Sequence, residues 1–342
     1  MSKIVVLTGI TGFIAKNIAL QLLNSGYVVR GTLRSINRTD EVIKAITPHL
    51  KDGVDIGKQL SFVAIDLAKD EGWSQAMADA DVLLHTASPF PIAQPKDEDE
   101  LIRPAVDGTL RALKAAHDAG IKRVVLTSSM AAVISKPLEA GRTAYDHTDW
   151  TDTSLDYVTP YEKSKTLAEK AAWNFIETEA PDMQLTTINP GLVLGPSLDE
   201  HFGSSLEIVE RVLKANDPAV PDVYIPGVDV RDVAKMHVAA IEKDPSIGKR
   251  CLAVAADLSF PQMAKILAVK YPDRKIATRI APKWLLAILK IFDPQVRAIY
   301  PVLGMKRSAD TSVSRDTLGI EFMPIEDSVL AAAESVVSFK KI

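Results

Sequence analysis

The sequence predicts an α/β protein, a doubly wound parallel sheet with a smaller lobe toward the C-terminus. Three observations lead there. Through the first half of the chain, short near-continuous apolar runs alternate with helical stretches, as strands buried on both faces do. A glycine pair separates the first apolar run from the first helix. After Asn189 the rhythm changes, with Pro190, Pro196, Pro218, Pro221 and Pro226 punctuating the chain and Pro261, Pro272 and Pro282 following.

Taken in order, Ile4–Leu7 reads as a buried strand, and residues 13–23 read as a helix that Gly26 is placed to stop. Strands are expected at 28–33, 60–65, 82–85, 124–126 and 185–188, with a helix over 101–119 ended by Gly120. Beyond Asn189, strand-like pieces return at 223–225 and 252–255, and helices are expected at 206–214, 260–270 and 284–292. The acidic run 97–100 suits a solvated first helical turn, where the helix dipole favours negative charge.

Composition bounds the partners. At about 100–200 residues per domain, 342 residues suggest about two structural units, or one large domain with an added lobe. A hydrophobic share of 47% can bury a large core, and a net charge of −4 without a basic patch argues against nucleic acid or an anionic membrane as partner. One cysteine, Cys251, excludes an intrachain disulfide and metal sites built on cysteine pairs. No secretory signal is evident, and the apolar run 284–292 is broken by Lys290 and too short to span a bilayer. A cytoplasmic protein, monomeric or homodimeric and without a metal, is the expectation.

The first strand runs into Thr8-Gly9-Ile10-Thr11-Gly12-Phe13-Ile14-Ala15. Gly9 permits a tight turn off the strand. Gly12 lets the backbone approach a pyrophosphate at the helix N-terminus, where free N–H groups favour an anion, and Ala15 is small enough for close helix–strand packing. Such a loop, between first strand and first helix, is the dinucleotide site of a Rossmann fold. The second strand ends at Arg34, with Arg38 close behind and no Asp or Glu at the strand end. Guanidinium groups there suit a 2′-phosphate, so the expected cofactor is NADP(H) rather than NAD. Asp66 and Leu67 follow the third strand and are expected beside the adenine. Thr86, Ala87 and Ser88 follow the fourth, beside the central portion of the cofactor. His85 reads as a packed strand-end residue.

Tyr161-Glu162-Lys163-Ser164-Lys165 opens a helix expected to run to about Thr178, with Pro160 in its first turn. A spacing of four puts Tyr161 and Lys165 on one face. A free tyrosine has a pKa of about 10, and a neighbouring ammonium lowers it toward the range where a proton can cycle. The fifth strand ends in Thr127-Ser128-Ser129. A serine at that edge can hold a carbonyl oxygen for Tyr161; Ser129 is the first choice and Ser128 the second.

Together, residues 8–15, 85–89, 126–129, 161–165 and Asn189-Pro190 resemble the extended short-chain dehydrogenases/reductases. Within them the similarity is closest to the dihydroflavonol reductase and cinnamoyl-CoA reductase group. Glu169-Lys170-Ala171-Ala172-Trp173 and residues 229–234 strengthen the resemblance, and residues 85–90 with the Arg34/Arg38 spacing resemble fungal NADPH-dependent methylglyoxal and carbonyl reductases. It runs from the N-terminus to about His237.

The resemblance implies Ser129, Tyr161 and Lys165 as the catalytic triad and Arg34 and Arg38 as the 2′-phosphate contacts. It also implies Gly9, Thr11, Gly12, Phe13, Ile14, Thr127, Ser205 and the segment Pro190 to Val193 as cofactor contacts. The implied reaction is hydride transfer from NADPH to a carbonyl carbon while Tyr161 protonates the oxygen. Plant dihydroflavonol reductases carry a polar residue, usually Asn, five places after the catalytic serine; here Ile134 stands there, which argues against a dihydroflavonol substrate. Phe90, Met130, Leu192 and Tyr224 are candidate pocket linings, while Asp232 and His237 are expected to pack the helix after Val230.

The expected organisation is an NADP-binding unit over 1–189, to which 223–256 returns, and a substrate-binding lobe from 190–222 and 257–342. The leading reading is reversible reduction of an aldehyde or ketone to an alcohol. Two alternatives remain open: a sugar-nucleotide epimerase or dehydratase, and a non-catalytic NADP sensor.

Overall fold

The computed structural model describes residues 2–89 and 97–342; the candidate pocket residue Phe90 lies outside them. Seven strands form one parallel sheet: β1 (Ile4–Thr8), β2 (Val28–Leu33), β3 (Leu60–Ala64), β4 (Val82–His85), β5 (Arg123–Thr127), β6 (Gln184–Pro190) and β9 (Arg250–Ala253). Their order is β3-β2-β1-β4-β5-β6-β9. A second sheet has the order β10-β8-β7, built from β7 (Leu192–Leu194), β8 (Tyr224–Asp229) and β10 (Ala256–Ser259). β7 and β8 are parallel, and β8 and β10 antiparallel.

The apolar runs become strands because both faces of the large sheet are covered. On one face Ile18, Leu22 and Leu23 of the helix Phe13–Asn24 pack with Val233, Ala234 and Met236 of the helix Val230–Glu242. On the other, Ala112, Leu113 and Ala116 of the helix Asp99–Asp118 pack with Ala172 and Phe175 of the helix Pro160–Thr178. Every side chain of β4 is buried, which accounts for a strand with no polar alternation. Around the small sheet, Leu206, Val209, Met263, Leu267, Val329 and Val336 form a separate core.

Two differences from the sequence expectation have physical causes. The helix expected over 284–292 ends at Leu289, and Pro294 opens a new helix, Pro294–Ile299; proline disfavours helical backbone in the residue before it. Of the segment 223–256, β8 pairs within the small sheet, while the helix Val230–Glu242 and β9 lie with the large one. No sequence pattern above marked the helix Ile325–Lys340, whose buried residues Ile325, Val329, Ala332, Ala333 and Val336 close the small core.

The strand order reverses about β1: β2 follows on one side and β4 on the other. In doubly wound sheets ligands bind beyond the carboxyl ends of the strands at such a switch point. The register brings Thr8 opposite His85, His85 opposite Leu126, and Thr127 opposite Ile188. The glycine loop, the Thr127-Ser128-Ser129 turn and Pro190 therefore share one edge.

Candidate active site

At that edge the first loop is shaped for an anion. Gly9 has φ of +68°, and a Cβ there would lie 3.0 Å from Cα of Ala87, so only glycine fits between the first and fourth strand ends. Gly12 caps the helix Phe13–Asn24 with no side-chain hydrogen bond. The first free N–H groups of that helix thus face the loop, as a pyrophosphate requires. Thr11, Gly12, Phe13 and Arg38 line a shared cavity with residues 200–203.

Arg34 is exposed at the end of β2, and no carboxylate among the described residues pairs with it. Arg38 is held by Glu41 through two hydrogen bonds of 2.9 Å. The same carboxylate accepts from the buried ammonium of Lys16 at 3.0 Å, and Lys16 also pairs with Asp199. Glu41, Asp199 and His201 lie close enough to hold a cation; the Lys16 ammonium supplies one. The other expected cofactor contacts fall into two groups. Asp66 accepts from the Ala68 N–H at 3.0 Å, Leu67 packs on Gly108, and Ser205 and Pro190 line the cavity described below. Val193 is core, and the Thr127 hydroxyl is bonded to Nε2 of His237 at 2.7 Å, which commits its proton to that ring.

His237 and His85 are structural. The Nδ1–H of His237 donates to the Val233 carbonyl at 2.8 Å, and burial pulls its pKa down to about 4. The Thr8 hydroxyl accepts from the N–H groups of Thr86 and Ala87, both at 3.0 Å. Its own proton therefore goes to Nδ1 of His85, 2.9 Å away. Burial, with the Lys165 charge adding to it, pulls His85 down to about 3, so the imidazole stays neutral.

The chemical end sits where β5 meets the helix Pro160–Thr178. A capping box fixes that helix start: the Thr159 hydroxyl accepts from the Glu162 N–H, and the Glu162 carboxylate accepts from the Thr159 N–H at 2.7 Å. Pro160 is the first helical residue, so Tyr161 emerges in the first turn. Its side chain is hydrogen-bonded to that of Ser129, whose Oγ also accepts from the Ala131 N–H at 3.1 Å. One turn on, the Lys165 ammonium stands 5.8 Å from the centre of the Tyr161 ring.

The electrostatics differ from the sequence expectation. Burial pushes the Tyr161 phenol above its ordinary pKa, the Ser129 hydrogen bond acts the other way, and the Glu162 charge raises it further. Lys165 is pulled down to about 8 by burial. The free enzyme thus holds Tyr161 as a neutral phenol, the form that can donate a proton.

Ser128, the second choice for that hydroxyl, is committed elsewhere. It is buried and donates to Glu169 at 2.5 Å. Glu169 is itself buried and also accepts from Asn189 Nδ2 at 2.7 Å and from Arg250 Nε at 2.6 Å. Asn189 in turn donates to the Ser129 carbonyl at 3.3 Å, so this buried charge network anchors the turn that carries Ser129.

Ser129 and Tyr161 open onto a cavity of about 400 Å³. Met130 and Leu192 line it as expected, and so does Ile134. Tyr224 does not line it; its ring faces the Lys306 ammonium at 5.9 Å, and the next residues of β8, Ile225 and Pro226, form the wall instead. Leu101, Tyr157, Val302 and Arg307 also line the cavity. None lies in a motif; they come together through the fold.

With this arrangement established, comparison with known proteins is decisive. Residues 5–251 match the NAD dependent epimerase/dehydratase family. The chain belongs to that family. Among curated relatives, a putative NADPH-dependent methylglyoxal reductase of Candida albicans is 33% identical over 92% of this chain and 98% of its own length. An anthocyanidin reductase of Vitis vinifera is 32% identical over 81% of this chain and 83% of its own. Among solved structures, the yeast methylglyoxal/isovaleraldehyde reductase complexed with NADPH superposes with a TM-score of 0.80 at 27% identity, covering 99% of both chains.

Proposed function

We propose that this family member reduces an aldehyde or ketone to an alcohol with NADPH, with Ser129, Tyr161 and Lys165 as its catalytic residues. The observation that carries the reading is the hydrogen-bonded Ser129–Tyr161 pair, with Lys165 behind the phenol, at the wall of an apolar cavity beyond the sheet edge. NADPH-linked reductases among its relatives support the same chemistry.

Bound NADPH supplies the hydride. The uncapped helix start after Gly12 would hold its pyrophosphate, and Arg34 and Arg38 its 2′-phosphate. Ser129 holds the substrate carbonyl oxygen toward Tyr161. The neutral phenol donates its proton to that oxygen as negative charge develops. Lys165, a cation below about pH 8, stabilises the resulting phenolate and holds the nicotinamide ribose. Segments 1–189 and 223–256 serve the cofactor, and 190–222 and 257–342 shape the substrate site. No helix among the described residues is long and apolar enough to cross a membrane. Cys251 is buried, and burial pushes its thiol up to about 11, which suits an inert thiol in a reducing, cytoplasmic setting.

The test follows absorbance loss from NADPH and from NADH with aldehydes, diketones and aryl ketones, for wild type and Tyr161→Phe. Turnover with NADPH, weaker with NADH and reduced at least about a hundredfold in the variant, is the expected result. Tight NADPH binding with no turnover of any carbonyl would overturn the reading in favour of a sensor.

A further inference from the structure

Two charged residues, Glu162 and Arg307, line the substrate cavity among apolar side chains and hydroxyls. They differ in what holds them. The Glu162 carboxylate is satisfied within the protein: it accepts from the Thr159 N–H at 2.7 Å, the Thr159 hydroxyl at 2.8 Å and the Ser135 hydroxyl. Arg307 has no such arrangement. It is half-buried, and no carboxylate among the described residues lies within ion-pair reach of it, although its neighbour Ser308 bonds Asp257 at 2.5 Å. Its charge is felt in the cavity. Burial pushes the Tyr157 phenol up, and the Arg307 cation pulls it back; Tyr157 lines the same space.

A half-buried guanidinium loses part of its hydration, and no carboxylate among the described residues makes up for it. Its planar fork of N–H donors matches a carboxylate. Arg307 lies on the C-terminal lobe, while Ser129 and Tyr161 lie at the sheet edge, and all three face one cavity. A molecule whose carbonyl reaches Ser129 and Tyr161 can therefore present a second group to Arg307. We infer that the preferred substrates are oxo acids: aldehydes or ketones carrying a carboxylate that Arg307 receives. This rests on the carbonyl-reductase reading above and narrows it.

The test uses matched pairs, 4-acetylbenzoate against its methyl ester and levulinate against methyl levulinate, each reduced with NADPH. In wild type the acid should exceed the ester in kcat/KM by about tenfold or more, mainly through KM, since hydrogen bonds to a charged partner contribute on that scale. Added salt should erode the preference. Arg307→Met should bring the acid-to-ester ratio to about one, and Arg307→Lys, which keeps a point charge, should recover part of it. A wild-type enzyme that favours the esters, or a ratio that survives Arg307→Met, overturns the inference and leaves NADPH-dependent carbonyl reduction standing. No turnover of acids, esters or simple aldehydes overturns both.

Discussion

Replacing Glu169 by glutamine tests whether the buried charge network sets both the stability of the fold and the position of Ser129. Six contacts converge on this carboxylate. One oxygen accepts from Arg250 Nε at 2.6 Å, the Thr187 hydroxyl at 3.2 Å and the Trp173 indole at 3.3 Å. The other accepts from Ser128 at 2.5 Å, Asn189 at 2.7 Å and a second nitrogen of Arg250 at 3.4 Å. Glutamine keeps the shape but offers one acceptor oxygen, and it turns two N–H groups toward existing donors. It also removes the counter-charge of Arg250, a guanidinium only 8% exposed. Breaking a buried pair costs about 3–5 kcal/mol. The retained amide oxygen and the stacking of Arg250 on Trp150, 3.7 Å from the ring centre, offset part of it. The expected loss is about 2–4 kcal/mol, a fall of about 3–6 °C in Tm for a chain of 342 residues. Urea unfolding of wild type, Glu169→Gln and Ser128→Ala measures it, with Ser128→Ala losing only about 1 kcal/mol. Because Asn189 links Glu169 to the Ser129 carbonyl, kcat should also fall about tenfold in Glu169→Gln. Stability within about 0.5 kcal/mol of wild type, less than one typical hydrogen bond, together with unchanged kcat would refute the network's role.

Two further outcomes follow from the charges. Arg34→Ala should raise KM for NADPH about tenfold to a hundredfold and leave KM for NADH nearly unchanged; equal effects on both cofactors would remove Arg34 from the 2′-phosphate. The pH dependence of kcat/KM for carbonyl reduction should fall above about pH 8. The Lys165 pKa is depressed to about 8, so the ammonium is present below that pH and lost above it, while the Tyr161 phenol, pushed upward, stays protonated through the same range. A profile flat to pH 10, measured with a buffer series at constant ionic strength, would refute the assignment to Lys165.

The large sheet was legible because its strands are buried on both faces, so apolar runs such as Val82–His85 carry little ambiguity. The glycine loop and the Tyr161–Lys165 pair were legible because turn geometry and one helical turn fix their spacing. What the sequence hid depends on distance along the chain. Glu169, Asn189 and Arg250 meet only when β6 and β9 pair, and Arg307 reaches the cavity from a lobe without a motif. Tyr224 illustrates the finer limit: the strand was expected, but which of its residues line the cavity is set by how the small sheet packs in the fold. The direction of the Tyr161 shift was also hidden, since burial outweighs the neighbouring hydroxyl only in the folded site.

The placement of β9 at the sheet edge has a consequence for how the chain reaches its fold. β9 pairs with β6 only after residues 191–249 have left the sheet, contributed β7 and β8 to the other one, and returned. Closing that excursion is an entropic cost met late, because its reward arrives only on closure. Until then Thr187, Ile188, Asn189 and Pro190, the residues β9 will cover, form an open parallel edge, and Glu169 lacks Arg250. The two sheets are thus interleaved in sequence. A nascent chain cut at 189 would carry an unpaired edge at β6 and an acid, Glu169, without its Arg250 partner.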